Sequence, residues 1–313
     1  MPSILWMQTG ACSGDTMAIL CAEKPSLQSL IDFYSVEILW QPSLSQQPTS
    51  YLAKMIDEIS AGERTLDVLC IEGSIITAPN NTGMYDTFKG RAKMEIVQAL
   101  ADKASYVVAM GTCAAFGGVH ASGCNPSDSV GLQFDKAIPG GLLAPDWRSA
   151  GGSPVINVAG CPAHPNTMTQ TLAMLASGVD IELDHINRPK AFFSTMVHQG
   201  CTRNEYHEYN IESQELGENA CMYFNMGCQG PSTEAVCNQD LWNGRSSKTR
   251  AGVPCFGCTS PDFPKEHDLF VTEKIGPIPT QLPSGVERGA YMAYKNLAKN
   301  AAPQRVKDKK MDP

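Results

Sequence analysis

Short apolar runs recur along the first half of the chain, each separated from the next by a segment patterned for an amphipathic helix. Ile4–Leu5–Trp6, Val36–Glu37–Ile38–Leu39–Trp40, Leu66–Asp67–Val68–Leu69–Cys70–Ile71, Tyr106–Val107–Val108–Ala109–Met110 and Val155–Ile156–Asn157–Val158 read as strands. Ser26 to Tyr34 reads as a helix with Pro25 near its start. Thr49 or Ser50 can cap a second, in which Leu52, Met55, Ile56 and Ile59 fall at i, i+3, i+4 and i+7. A third, from about Arg91 to Ala104, offers Ile96, Val97 and Leu100 for burial. Strands alternating with such helices predict a parallel sheet covered on both faces, ending at about residue 185. The Gly- and Pro-rich stretch from Ala114 to Ser153 reads as a long loop that covers a site or meets a partner.

Three of the twelve cysteines, Cys12, Cys113 and Cys161, fall just past three of these strands. Loops leaving the carboxyl ends of parallel strands gather at one edge, where such sheets bind ligands. The three thiols are therefore expected to converge on a metal centre. Asp15 stands three residues after Cys12, where a Cys-x-x-Cys pair would place its second sulfur. Iron–sulfur clusters are usually held by four thiolates. Three thiols and a carboxylate suit a four-iron cluster with one oxygen ligand, or a three-iron cluster lacking that corner. Asp15 as a simple cap of the following helix is the competing reading. A phosphate loop is excluded, because no Gly-Lys-Ser/Thr follows the glycines of Thr9–Thr16.

Beyond about residue 186 the texture changes, with six cysteines in the fifty-eight residues from Cys201 to Cys258 and little strand pattern. His198 and Cys201, with Cys221 and Cys228, supply one imidazole and three thiolates for a four-iron cluster. Cys237 with the pair Cys255 and Cys258 supplies three sulfurs, which suit a three-iron cluster. Zinc accepts Cys₃His and Cys-x-x-Cys sets equally well. It does not account for three separate sets in one chain, one of them at a sheet edge. Cys70 lies inside a strand and reads as a buried apolar thiol. Cys21 and Cys124 stay unassigned, Cys21 being a poorer fourth ligand than Asp15. His164 could orient a ligand beside Cys161, whereas His120, His185, His207 and His267 show no constellation. The tail, with Pro277, Pro279, Pro283 and Pro303, reads as an extended arm. The expected division is a sheet domain over 1–185, a small, irregular, mainly helical cluster domain over 186–265 and an arm over 266–313.

A net charge of -8 in 313 residues argues against a nucleic-acid or anionic-membrane surface. The basic run Lys307–Asp308–Lys309–Lys310 reads as a solvated tail. Met1–Pro2–Ser3 runs directly into the first strand, without a basic n-region or a twin-arginine segment. A cytoplasmic location is the expectation, with any membrane association arising through partners. In that reducing compartment cysteine clusters bind metal more often than they form disulfides.

Together these residues resemble the small, electron-transferring subunit of nickel–iron hydrogenases. The resemblance is carried by Leu5–Trp6–Met7–Gln8–Thr9–Gly10–Ala11–Cys12–Ser13–Gly14, Glu72–Gly73, Gly111–Thr112–Cys113 and Gly160–Cys161–Pro162. In the second half it is carried by His198 and Cys201, Gly227–Cys228–Gln229–Gly230–Pro231, Leu241–Trp242–Asn243 and Pro254–Cys255–Phe256–Gly257–Cys258. It spans roughly residues 3 to 265 and implies a flavodoxin-like domain followed by a cluster domain. It further implies a proximal cluster on Cys12, Asp15, Cys113 and Cys161, a medial one on Cys237, Cys255 and Cys258, and a distal one on His198, Cys201, Cys221 and Cys228. In that family the nickel–iron centre belongs to a separate large subunit, so an obligate partner is implied, and assembly into a higher oligomer of heterodimers. The chain would pass electrons to an acceptor protein or a quinone. Asp15 departs from the second cysteine that most of the family carries in the first loop. The lack of an export signal resembles the cytoplasmic uptake and hydrogen-sensing branches, the Ala-Cys-Ser-Gly loop resembling the uptake branch more. A regulatory hydrogen sensor and a zinc-stabilised binding protein are the alternatives.

Overall fold

The computed structural model describes residues 1–265, 270–283 and 285–310; His267 lies outside them. The chain divides into two compact units. One comprises Met1–Ala191 and returns for Thr259–Lys265. The other comprises Phe192–Cys258 and the described residues after 265.

The first unit is built on a five-stranded sheet of β1 (Ser3–Gln8), β2 (Glu37–Trp40), β3 (Val68–Glu72), β4 (Tyr106–Met110) and β5 (Ile156–Val158). All pairings are parallel, in the order β5-β4-β3-β1-β2. This is the flavodoxin-like arrangement, whose strand order reverses between β1 and β3 and leaves a ligand crevice at that point. The central strands are buried on both faces, so they read as unbroken apolar runs rather than alternating ones. Helices α1 (Gly14–Ala18), α2 (Leu27–Asp32), α3 (Thr49–Ala61), α4 (Lys93–Ala101), α5 (Gly111–Phe116) and α6 (Pro165–Ala176) complete the unit. Leu52, Met55, Ile56 and Ile59 of α3 are all buried, so the spacing seen in the sequence is the packed face. Ser26 caps α2, its hydroxyl accepting from the Ser29 N–H at 3.1 Å.

Three expectations of the sequence need correction. The stretch from Ala114 to Ser153 is not a plain loop. It completes α5 and contributes Ser129–Val130 to a two-stranded pairing with Ile75–Ile76. Buried Gln133 holds the remainder: its amide donates to the carbonyls of Ala144, Pro145 and Trp147, and its oxygen accepts from the Val155 N–H. The tail is not an extended arm. Between Pro283 and Pro303 no proline interrupts the sequence, and the Ala- and Lys-rich segment Arg288–Ala301 forms α8, followed by α9 (Gln304–Lys307). This tail belongs to the second unit. Val306 is fully buried in that unit's core with Tyr206, Ile211 and Phe224, and the Tyr223 hydroxyl donates to Gln281 O at 2.6 Å. The change of texture expected at 186 falls six residues later, after Ala191. The other described residues of the second unit are mostly irregular, with a short α-helix, α7 (Asn204–Glu208), 3₁₀ turns at Val197–Gly200 and Gly230–Ser232, and a pairing of Lys274–Ile275 with Ile278–Pro279.

Candidate metal centres

Strand register sets the first site. Gln8 pairs with Glu72, Glu72 with Met110, and Met110 with Val158, so the sheet ends at one level. Cys12, Cys113 and Cys161 follow Gln8, Met110 and Val158 by three or four residues, so the loops that carry them leave the same edge of the sheet. Backbone contacts tie the loops together. The N–H groups of Gly10 and Ser74 donate to each other's carbonyls, and the Thr112 N–H donates to Gly160 O at 2.8 Å. Gly73 has φ +96°, and a Cβ there would lie 2.7 Å from the Ala11 N, so this close approach requires glycine.

Asp15 lies inside α1 but does not cap it. Its Oδ1 instead accepts from the Ala163 N–H at 2.6 Å, across to the loop that carries Cys161. Burial, and secondarily the charge of Glu72, pushes its carboxyl up to about 7 against the pull of that N–H. Cys113 is also raised, chiefly by burial, and the charges of Asp15 and Cys12 add to the effect. A Cβ on Gly14 would meet Cys12 Sγ at 3.2 Å and Pro162 at 3.5 Å. Cys12, Asp15, Cys113 and the loop of Cys161 thus share one small region.

Glu72 has no role in the sequence reading beyond its place in the family resemblance, yet it organises this region. Its Oε1 accepts from the N–H groups of Asp15 and Thr16 at 2.9 and 3.2 Å, so it caps α1 from another strand. Its Oε2 accepts from Trp6 Nε1, Gln8 Nε2 and the Thr16 hydroxyl. The only local sign of this role is a carboxylate ending an otherwise apolar strand.

In the second unit, one enclosed cavity is lined by His198, Cys201, Cys221 and Cys228 together with Arg203. Burial raises Cys221, and Cys228 to about 11; the neighbouring thiols add, and Arg203 opposes. Arg203, which the sequence did not single out, sends its guanidinium to the carbonyls of Thr249, Glu218 and Ala220, while its N–H donates to Cys201 Sγ at 3.4 Å. His207, which showed no constellation in the sequence, belongs here. Its ring lies 4.3 Å from that of His198 and stacks on Phe224, and its Nδ1 is 3.5 Å from Cys221 Sγ. Burial lowers His198 against the pull of Glu208, and lowers His207 to about 3, which favours the neutral ring that a metal ligand needs.

Cys237, Cys255 and Cys258 form the remaining set. Burial pushes Cys237 up to about 11 and Cys255 well above its ordinary value, with neighbouring thiols adding to each. The Cys255 N–H donates to Cys228 Sγ at 3.3 Å, which makes the two sets of this unit neighbours. Cys70 is fully buried in β3, whereas Cys21 and Cys124 are exposed. Among the described residues no three His, Cys, Asp or Glu side chains close around one point as a single ion requires. Soft sulfur donors gathered more loosely, with N–H groups aimed at Sγ, fit an iron–sulfur cluster, whose donors surround a larger body.

A family model described as NADH ubiquinone oxidoreductase, 20 Kd subunit, matches residues 12–175, and one for the C-terminal part of the NiFe/NiFeSe hydrogenase small subunit matches residues 193–271. The chain is 30% identical over 275 residues to the periplasmic NiFe hydrogenase small subunit 1 of Nitratidesulfovibrio vulgaris, covering 86% of this chain and 81% of that one. The chain belongs to the small subunits of nickel–iron hydrogenases. Its fold matches the actinobacterial-type NiFe-hydrogenase of Ralstonia eutropha H16 with a TM-score of 0.79 at 29% identity, over 97% of this chain and 92% of that one. The Ni-Fe-Se hydrogenase of Desulfomicrobium baculatum matches with a TM-score of 0.74 at 28% identity, over 87% and 99%. Members of this family are oxidoreductase subunits that carry iron–sulfur clusters, while the catalytic centre lies on a large subunit.

Proposed function

We propose that this chain relays electrons in a hydrogen-oxidising nickel–iron hydrogenase, from the active site of the large subunit through three iron–sulfur clusters to an external acceptor. The reading is carried by the meeting of Cys12, Asp15 and Cys113 at the carboxyl edge of the sheet, with the Cys161 loop bonded to Asp15. Cys12, Asp15, Cys113 and Cys161 would hold a proximal cluster, four-iron with one carboxylate ligand or three-iron. Cys237, Cys255 and Cys258 would hold a three-iron medial cluster, and His198, Cys201, Cys221 and Cys228 a four-iron distal one. When bound, such groups supply one-electron redox chemistry. The chain's own part is to gather the donors, withdraw them from water and aim N–H groups at sulfur, the levers that set potential.

The proposal extends to the cytoplasmic uptake branch and to assembly as a higher oligomer of heterodimers. The name of the N. vulgaris relative gives that protein a periplasmic site. Recovery of the complex from the periplasmic fraction would overturn this part.

Iron and acid-labile sulfide in the purified complex test the relay, with about eleven irons expected if the clusters are four-, three- and four-iron. Zinc in their place would end the relay. Asp15→Cys is expected to keep the fold and change the low-temperature EPR spectrum of the proximal cluster. An unchanged spectrum would remove Asp15 from the ligands.

A further inference from the structure

Two of the four candidate ligands of the distal set, His198 and Cys221, touch the same third side chain. His207, in the last turn of α7, brings its ring to 4.3 Å from that of His198, edge-on at 61°, and its Nδ1 to 3.5 Å from Cys221 Sγ. The geometry points to His207 as a positioning residue of the distal cluster, whose Nδ1–H donates to the Cys221 thiolate and makes the cluster easier to reduce. The role rests on the proposed relay and deepens it.

Packing fixes the ring first. It stacks on Phe224 at 5.3 Å and 19°, and meets Tyr223 edge-on at 5.2 Å and 61°. Tyr223 and Phe224 directly follow Met222 after Cys221, so the segment that brings the thiol also brings two walls of the imidazole. The backbone of His207 is held as well, its N–H donating to Arg203 O at 3.2 Å and its carbonyl accepting from the Asn210 N–H at 3.0 Å. Nδ1 therefore cannot turn from the sulfur without breaking the stack.

Chemistry then assigns the hydrogen. A thiolate bound to iron has no hydrogen to give and only accepts, so the ring carries its hydrogen on Nδ1. His198, not His207, lines the enclosed cavity with Cys201, Cys221 and Cys228, so His207 acts on ligands rather than as one. The N–H groups of Arg203 and Cys255 donate to Cys201 and Cys228 at 3.4 and 3.3 Å, and that of Tyr223 donates to Cys221. Those backbone donors come with the fold, whereas the donor from position 207 depends on the residue type there. Donation into sulfur stabilises the more negative, reduced cluster, and hydrogen bonds to the sulfurs are among the terms that set its potential.

The test uses the intact complex with its large subunit. EPR-monitored redox titration gives the midpoint of each cluster, and metal analysis gives the iron content. His207→Phe keeps an aromatic ring against Phe224 and removes the N–H. Its distal cluster is expected to become harder to reduce by on the order of tenfold in the equilibrium constant, about 59 mV for a one-electron couple. The other two midpoints and the iron content should not move. His207→Asn restores an amide N–H near the place of Nδ1 and is expected to recover most of the fall. In complex labelled with nitrogen-15 histidine, pulsed EPR of the reduced distal cluster should show a weakly coupled nitrogen that either variant removes. An unchanged distal midpoint in His207→Phe, an equal fall in both variants, or histidine couplings that neither variant alters would overturn this role and leave the relay standing. Loss of the distal irons from both variants would make His207 a ligand and overturn the role as well. Absence of iron from the unaltered complex would overturn the relay itself, and the role with it.

Discussion

The two units hold their sulfur sets in opposite ways. In the first, Cys12, Cys113 and Cys161 hang from the ends of strands whose backbone groups are already paired and whose side chains are already buried. The scaffold exists for reasons unconnected with metal, and the site is a by-product of register. In the second, Cys201 to Cys258 lie among turns with only α7 as regular helix in that stretch, and six thiols stand where an ordinary core would have aliphatic side chains. Cys221, Cys228 and Cys255 are themselves part of the buried cluster that contains Tyr206, Phe224 and Val306. Metal binding and folding are therefore far more tightly coupled in the second unit than in the first.

The largest expected effect follows directly. Chelating iron from the complex should expose the second unit to protease while the sheet survives as a fragment ending near residue 190. Equal resistance of both units, read by limited proteolysis and mass spectrometry, would erase the contrast. Next in size is Glu72→Ala. It strands four buried donors, the Trp6 indole N–H, the Asp15 and Thr16 N–H groups and the Thr16 hydroxyl, each costing about 1–3 kcal/mol when left unpaired, so a loss of more than about 3 kcal/mol is expected. Denaturant unfolding of the complex, followed by tryptophan fluorescence because Trp6 sits in β1, would show it. Arg203→Ala should cost less, about 2–3 kcal/mol, because three carbonyls lose a charged donor. The loss should appear in the second unit alone, as faster amide exchange around Thr249 and Ala220. A uniform change across both units would mean that Arg203 does not act locally.

What could be read in the sequence follows the same divide. The sheet, its order of elements and the packed face of α3 were legible because burial imposes a local period on the residues that are buried. The candidate ligand sets stood out as residue types, since cysteine and histidine announce their chemistry. What escaped was contact between distant residues. Glu72 caps α1 from fifty-seven positions away, and no local pattern marks it. His207 joins His198 only through the turns that bring in Phe224 and Cys221. The helix α8 was hidden for another reason: prolines flank it on both sides and mask the helix-forming run between them.

The smallest effect separates kinds of cysteine. Cys70 sits in the middle of β3, fully buried, paired in register with Trp6 on one side and Val108 on the other. Burial raises its thiol far above the ordinary value, so it stays protonated and unreactive. Cys70→Ala removes one sulfur atom from a packed strand and should cost about 1 kcal/mol, with the iron content of the complex unchanged. Cys113→Ala touches the crevice instead. It should cost the sheet little stability and lower the iron content by the whole proximal cluster. Thiols of the sheet unit thus divide by what lies beyond the sulfur, packed side chains for fully buried Cys70 and the crevice for half-buried Cys113. Loss of iron from Cys70→Ala would refute that division.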